Sequence, residues 1–191
     1  MPSPERRTIR TERCLLIPLS RPLIEARLQD SDFLWRHTEG AADVTFLVPP
    51  DWPGRELQEL FNVLLLGMIR PDAVVEDSYA IGWLDGALLV GACGTTSPLI
   101  DGDIEIGYGV SASQTSQGFA TEAVDALISD LFRRPGVQRV LATTEPDNQR
   151  SQRVLRRLGF QQVGITSDPQ GPLLRFALTR SRKHLRGTVD A

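Results

Sequence analysis

Cysteine and histidine are nearly missing from this 191-residue chain. Cys14 and Cys93 stand far apart, and neither His37 nor His184 has a Cys, His or acidic ligand pattern near it. Zinc sites and disulfide frameworks need several such residues at set spacings, so no metal is expected and both thiols read as reduced core residues. Positive charge is not in excess either: 21 Lys and Arg against 24 Asp and Glu leave a formal net charge of −3. That balance gives no basic footprint for nucleic acid. No long apolar run follows the charged start (Glu5, Arg6, Arg7, Arg10), so neither a signal peptide nor a membrane span is expected, and the cytoplasm is the expected location. Internal repeats and low-complexity linkers are absent as well.

What is present reads as one domain over 1–191, with polar and flexible ends expected at 1–12 and 181–191. Apolar residues make up 41% of the chain and charged residues 24%, ordinary for a globular protein of this length. Residues 14–17 read as a short buried strand stopped by Pro18. Short helices are predicted over 22–28 and 32–37, and 41–54, rich in proline near its end, reads as a stiffened loop. Leu57, Leu60, Phe61, Leu64, Leu65 and Met68 keep the rhythm of a helix with one buried face, ended by Arg70-Pro71. Strands over 78–84 and 87–95 flank Asp85-Gly86, a hairpin signal. A strand over 103–110 comes next. Val124, Leu127, Ile128, Leu131 and Phe132 then mark an amphipathic helix, followed by a strand over 139–144 and a helix capped by Asn148 and Gly159. Strands over 160–165 and 173–178 close the order. Hairpins in the middle imply a mixed α/β fold, a mainly antiparallel sheet of about six or seven strands flanked by helices.

Two features carry chemistry. In the stretch Ser116-Gln117-Gly118-Phe119-Ala120-Thr121-Glu122-Ala123 a strand gives way to a small-residue turn and a helix N-terminus. The first amides of a helix lack internal partners and sit at the positive end of its dipole, so such a turn holds anions. Gly118 serves either that close approach or tight packing. On the preceding strand Ile104, Ile106, Tyr108 and Val110 should point one way and Glu105, Gly107 and Gly109 the other. The second face suits either a ligand or solvent beside a bulge. Asn148 and Ser151, read alone, are a helix cap and a first-turn residue.

Taken together, Glu105-Ile106-Gly107-Tyr108, Gln117-Gly118-Phe119-Ala120-Thr121-Glu122-Ala123, and Asn148-Gln149-Arg150-Ser151 with Val154-Leu155 and Leu158-Gly159-Phe160 resemble the GNAT superfamily of acyl-CoA-dependent N-acetyltransferases. The match is closest to its RimJ/RimL-like branch and covers the chain from Arg13 to about Arg180. The resemblance implies acetyl-CoA as co-substrate, its pyrophosphate on the backbone amides of Gln117, Gly118, Phe119 and Ala120, with help from the Thr121 hydroxyl. It implies a pantetheine arm in a splay between the strands at 105–110 and 139–144, paired with main-chain groups near Tyr108 and Val110 and reached by Asn148. Two departures stand against the family pattern. Thr115 and Ser116 occupy places that usually hold Arg or Gln and then Gly, which implies weaker or differently shaped phosphate binding. Leu155 occupies the place of a Tyr acid, so Ser151 becomes the candidate acid, or the residue that orients a proton-carrying water.

The implied reaction is direct attack of a primary amine on the thioester, with Glu105 as candidate base. Cys93, in an apolar run with no paired histidine, reads as a core residue and not as a nucleophile. The acceptor pocket is expected from 30–55, 109–115 and 169–172, where Trp35 and Trp52 are either substrate contacts or core. The implied partners are acetyl-CoA and an amine, a protein N-terminus or a small molecule, and the two final strands offer an edge for a homodimer. The reading from another class is an acyl-CoA-binding regulatory module without turnover, which Thr115, Ser116 and Leu155 keep open.

Overall fold

The computed structural model describes residues 7–39, 42–54, 57–58, 61, 64–65, 74–169 and 171–187. Its contacts divide into two compact units, Met1–Gly94 with Tyr108–Ala123, and Thr95–Gly107 with Val124–Ala191.

In the first unit, β1 (Ile9–Arg10) pairs antiparallel with β2 (Cys14–Ser20), and β2 with β5 (Val74–Trp83). Strand β5 forms a hairpin with β6 (Leu88–Thr95) across the Asp85-Gly86 turn, as its sequence predicts. Strand β2 runs through Pro18 instead of stopping there. The β1 pairing reaches only Leu15 and Leu16, and a register shift lies between Pro18 and Ser20, so proline sits where the strand is an edge and irregular. Helix α1 (Arg21–Gln29) follows, its N-cap Ser20 accepting from the Leu23 amide.

The next segment differs from its sequence reading. Residues 32–37, predicted as a helix, lie mainly in strand β3 (Phe33–Glu39), and 41–54, predicted as a loop, contains strand β4 (Ala42–Val48). The two form an antiparallel hairpin. Phe46 and Val48 are buried from one face of β4 and Asp43, Thr45 and Leu47 are exposed on the other, the alternation of a half-buried strand. Residues 57, 58, 61, 64 and 65 are helical, and the remaining positions of that predicted helix lie outside the described residues. Leu15, Ile17, Leu23, Ile24, Phe46, Trp52 and Phe61 pack into one core cluster.

In the second unit the strand order is β7 (Asp103–Val110), β8 (Arg139–Thr144), β10 (Gly171–Thr179), β9 (Gln161–Asp168). Strands β7 and β8 are parallel and the other two pairings antiparallel. Ten strands are present among the described residues, three more than the sequence suggests because β1, β3 and β4 are added, and the sheets remain mixed and mainly antiparallel. Helix α2 (Phe119–Leu131) buries Val124, Leu127, Ile128 and Leu131 as predicted, and Phe132 follows it into the core. Helix α3 (Gln149–Leu158) is capped by Asn148 and ends on left-handed Gly159, at φ 92°. The C-terminal stretch expected to be a polar tail begins with helix α4 (Arg180–Gly187), and the Arg180 guanidinium donates to the carbonyls of Arg134 and Val137.

Candidate active site

The cradle lies in the first unit. Beyond β7 a 3-10 turn at Ala112–Gln114 leads to Ser116 at φ 65° and Gly118 at φ 88°, both left-handed. Ser116, the departure from the family pattern, thus adopts the conformation that a glycine would supply. The first helical bond runs from the Glu122 amide to the Gly118 carbonyl, so the amides of Gly118, Phe119, Ala120 and Thr121 have no backbone acceptor among the described residues. Amides without internal partners on a left-handed turn at the head of a 13-residue helix have the geometry and polarity to meet an anion such as a phosphate group. The Phe119 side chain is buried against Trp83 and offers only its backbone to such a ligand.

A tether that no spacing rule announces holds this turn. The Glu122 carboxylate accepts from the Thr11 hydroxyl, from the Arg13 amide at 2.8 Å and from Arg13 Nε at 2.8 Å. Arg13 Nη1 donates to the Gln117 carbonyl at 3.2 Å, and the guanidinium lies 5.1 Å from the centre of the Phe119 ring. Burial pushes the Glu122 carboxyl up, but the bonds from Thr11 and Arg13 outweigh it and hold it below its usual range.

Of the β7 glycines, Gly109 belongs to this unit. A Cβ there would stand 2.9 Å from Leu57 Cδ1, so Leu57 would have to shift to admit a side chain at this position. Tyr108 and Val110 are half-buried, and the fully buried Ser111 hydroxyl just beyond them has no partner among the described residues. Trp52 is 0% exposed and donates from Nε1 to the Gly91 carbonyl at 2.7 Å. It is a core residue, with no surface left to meet a substrate. Trp35 is half-buried on β3, its buried Nε1 without a partner among the described residues.

Glu105, Asn148 and Ser151 lie in the second unit. Pairing of β7 with β8 covers Asp103–Glu105 against Arg139–Leu141 and stops there, although β8 continues to Thr144. The strands part at Glu105, the splay that the sequence implies. At the parting point the half-buried Glu105 carboxylate accepts from the Thr143 hydroxyl at 2.9 Å, while its amide donates to Ser97 Oγ. Gly107 is also a packing glycine, because a Cβ there would lie 2.9 Å from Thr96 Cγ2. Asn148 Oδ1 accepts from the Ser151 amide at 3.0 Å, which places Asn148 and the half-buried Ser151 together at the head of α3. Leu155, in the place of the family's Tyr, is fully buried and fills core space.

Both thiols are unsuited to catalysis. Burial pushes Cys93 up to about 12 and Cys14 up to about 11, so each is a neutral thiol near pH 7. Among the described residues no group of His, Cys, Asp and Glu gathers as a metal site would require, and no helix is long and apolar enough to cross a membrane.

The acetyltransferase (GNAT) domain profile matches residues 22–161, most of the chain, which therefore belongs to the GNAT acetyltransferase family. Among named relatives, the uncharacterized N-acetyltransferase YjdG of Bacillus subtilis is 27% identical over 154 residues, covering 80% of this chain and 88% of YjdG. The uncharacterized N-acetyltransferase p20 of Bacillus licheniformis is 37% identical over 83 residues, 42% of this chain and less than half (46%) of p20. Among solved structures, RimL, a ribosomal L7/L12 alpha-N-protein acetyltransferase in complex with coenzyme A, superposes with a TM-score of 0.60 at 18% identity, covering 91% of this chain and 98% of RimL. At that identity the likeness is one of fold.

Proposed function

We propose that this chain is an N-acetyltransferase of RimJ/RimL-like type that binds acetyl-CoA and moves its acetyl group to a primary amine, a protein N-terminus or a small-molecule amine. The observation that carries this reading is the row of open amides from Gly118 to Thr121 on the left-handed turn that opens α2, in a chain of the GNAT family. Those amides would receive the pyrophosphate, and the parting of β7 from β8 after Glu105 supports a seat for the pantetheine arm.

The thioester supplies the activated acetyl group. In the transfer the amine nitrogen forms the new C–N bond, the C–S bond breaks, and no covalent bond to the enzyme is needed. An α-amino group has a pKa of about 8, so it must first lose a proton, and such help contributes about 10²–10⁴-fold. Glu105 takes that proton directly or through water. The Thr143 hydroxyl occupies one of its oxygens, which fixes the carboxylate and leaves the other oxygen for the proton. A backbone amide near Val110 would hold the developing oxyanion, and the Ser151 hydroxyl, or a water it orients, would return a proton to the leaving sulfur. Trp35 is the aromatic retained for the acceptor side.

Calorimetric titration of acetyl-CoA tests the cradle. Micromolar binding is expected, with loss of more than about 100-fold in Gly118→Glu, which puts a carboxylate into the anion seat and a side chain on a left-handed residue. No heat with acetyl-CoA or longer acyl-CoAs would end the reading. For the chemistry, Glu105→Gln should lower turnover most at low pH, with acetyl-CoA affinity nearly intact. An unchanged pH–rate profile, followed by thiol release, removes Glu105 from the role of base.

A further inference from the structure

The segment from Ser113 to Ala123 carries no Lys or Arg, and its one charged residue, Glu122, is an anion in the first turn of α2. A diphosphate approaching this turn would meet helix-terminal amides and a carboxylate of its own sign. The only cation bonded to this segment among the described residues is Arg13, from the connection between β1 and β2.

We infer that Arg13 is a positioning residue for the phosphate cradle: it turns the Gln117–Gly118 peptide so that its N–H faces the anion. This rests on the acetyl-CoA reading given above. A trans peptide directs its carbonyl and its N–H to opposite sides. Arg13 Nη1 takes the Gln117 carbonyl at 3.2 Å, so the Gly118 amide faces away from the guanidinium, toward the open side of the turn. The turn itself restrains this peptide little, because Gly118 is free to adopt many backbone conformations and the exposed Gln117 side chain is held, among the described residues, only by a bond from its Nε2 to Gln114 Oε1 at 3.0 Å.

The guanidinium is in turn fixed from three directions. Glu122 Oε2 takes Nε at 2.8 Å, the Phe119 ring lies under the plane, and the Arg13 amide binds the other oxygen of the same carboxylate. Nη2 stands 3.2 Å from the point that a Cβ on Gly118 would occupy, so the guanidinium also walls one flank of the glycine. The same contacts answer the electrostatic problem of Glu122, whose two oxygens are both engaged by Thr11 and Arg13 on the side away from the open amides. A lysine could reach the carboxylate or the carbonyl but has no planar fork to hold both.

The test compares two acetyl donors: acetyl-CoA, and S-acetylpantetheine, which has no phosphate to meet the cradle. Arg13→Gln should raise the Kd for acetyl-CoA about 10- to 100-fold, the loss of a charged orienting hydrogen bond. Turnover of S-acetylpantetheine should stay within about twofold of wild type. Arg13→Lys should fall between, and Glu122→Gln, which keeps an acceptor for Nε, should show the smallest loss. An unchanged acetyl-CoA affinity in Arg13→Gln and Arg13→Lys overturns the inference, as does an equal fall with both donors, the signature of general damage to the fold. A wild type that does not bind acetyl-CoA sinks the reading beneath it, whereas one that binds beside unaffected Arg13 variants sinks the positioning role alone.

Discussion

Two arginines of the first unit each hold a loop, and they do it in opposite ways. Arg27, on α1, is buried and has no carboxylate among its recorded partners. Its Nε donates to the Trp52 carbonyl at 2.9 Å, and its other nitrogens donate to the carbonyls of Asp30, Ser31 and Pro50. Arg13 is 39% exposed, pairs with a carboxylate and takes a single loop carbonyl. Around Arg27 each guanidinium nitrogen donates to backbone, and the loop at 49–54 keeps Trp52 in the core. Around Arg13 the amides of the neighbouring turn stay open. A guanidinium spent on four carbonyls makes scaffold, and one paired with a carboxylate holds a turn whose helix-terminal amides stay free for a ligand.

That contrast can be broken by substitution. The largest expected effect on stability is Arg27→Met, which leaves four carbonyls without their donor. It should cost about 2–4 kcal/mol, a fall in Tm of roughly 5–15 °C, with little change in acetyl-CoA affinity for the protein that remains folded. A Tm within about 2 °C of wild type would show that solvent replaces those bonds, and the distinction between the two arginines would fail.

Acid sharpens the comparison. The folded Glu122 carboxyl is held below its usual range, so its contribution is complete above the unfolded carboxyl value of about 4.3 and is lost as pH falls through the lower folded value. Thermal melts from pH 7 to pH 3 should show a larger acid loss in wild type than in Glu122→Gln, which keeps only the share of other lowered carboxyls such as Asp103, and no difference in slope between them near neutrality. Among the described residues the Arg27 guanidinium pairs with no carboxylate, so its four carbonyl bonds do not depend on a carboxyl proton. Parallel pH curves for the two proteins would mean that Glu122 is not the titrating anchor.

The smallest effect belongs to Ser116→Gly. Relief of the left-handed serine is worth about 1 kcal/mol, and the added freedom of the unfolded glycine takes back about 0.4–1 kcal/mol. The net change in chemical denaturation should stay under about 0.5 kcal/mol, with acetyl-CoA affinity within about threefold. A large gain in affinity would show that serine distorts the turn after all.

Legibility in the sequence followed the range of the interactions. The buried face of α2, the alternation of β7, the Asp85-Gly86 hairpin and the caps Asn148 and Gly159 are local patterns, and each could be read from spacing. The β3–β4 hairpin was not. Leu34 between Phe33 and Trp35 hides the alternation of β3, and its 71% exposure has no local signal, while the prolines after Val48 make β4 look like the start of a loop. Within the candidate site, Gly118, Glu105 and Asn148 were legible because motif and local geometry coincide. The sequence leaves Trp52 open between substrate contact and core, and only the tertiary core shows where its indole is used. Arg13 was missed because its partner Glu122 is 109 residues away, and no periodicity connects them.

That separation also bears on how the chain acquires its structure. Joining residues 109 apart confines the chain between them, at an entropic cost of about 4 kcal/mol from length alone. A few partly exposed bonds do not repay that cost from an open chain, so strand pairing of β2 with β5 has to shorten the path first. The Arg13–Glu122 tether therefore follows the pairing of β2 with β5, and both of those strands leave synthesis before the turn that Arg13 comes to hold.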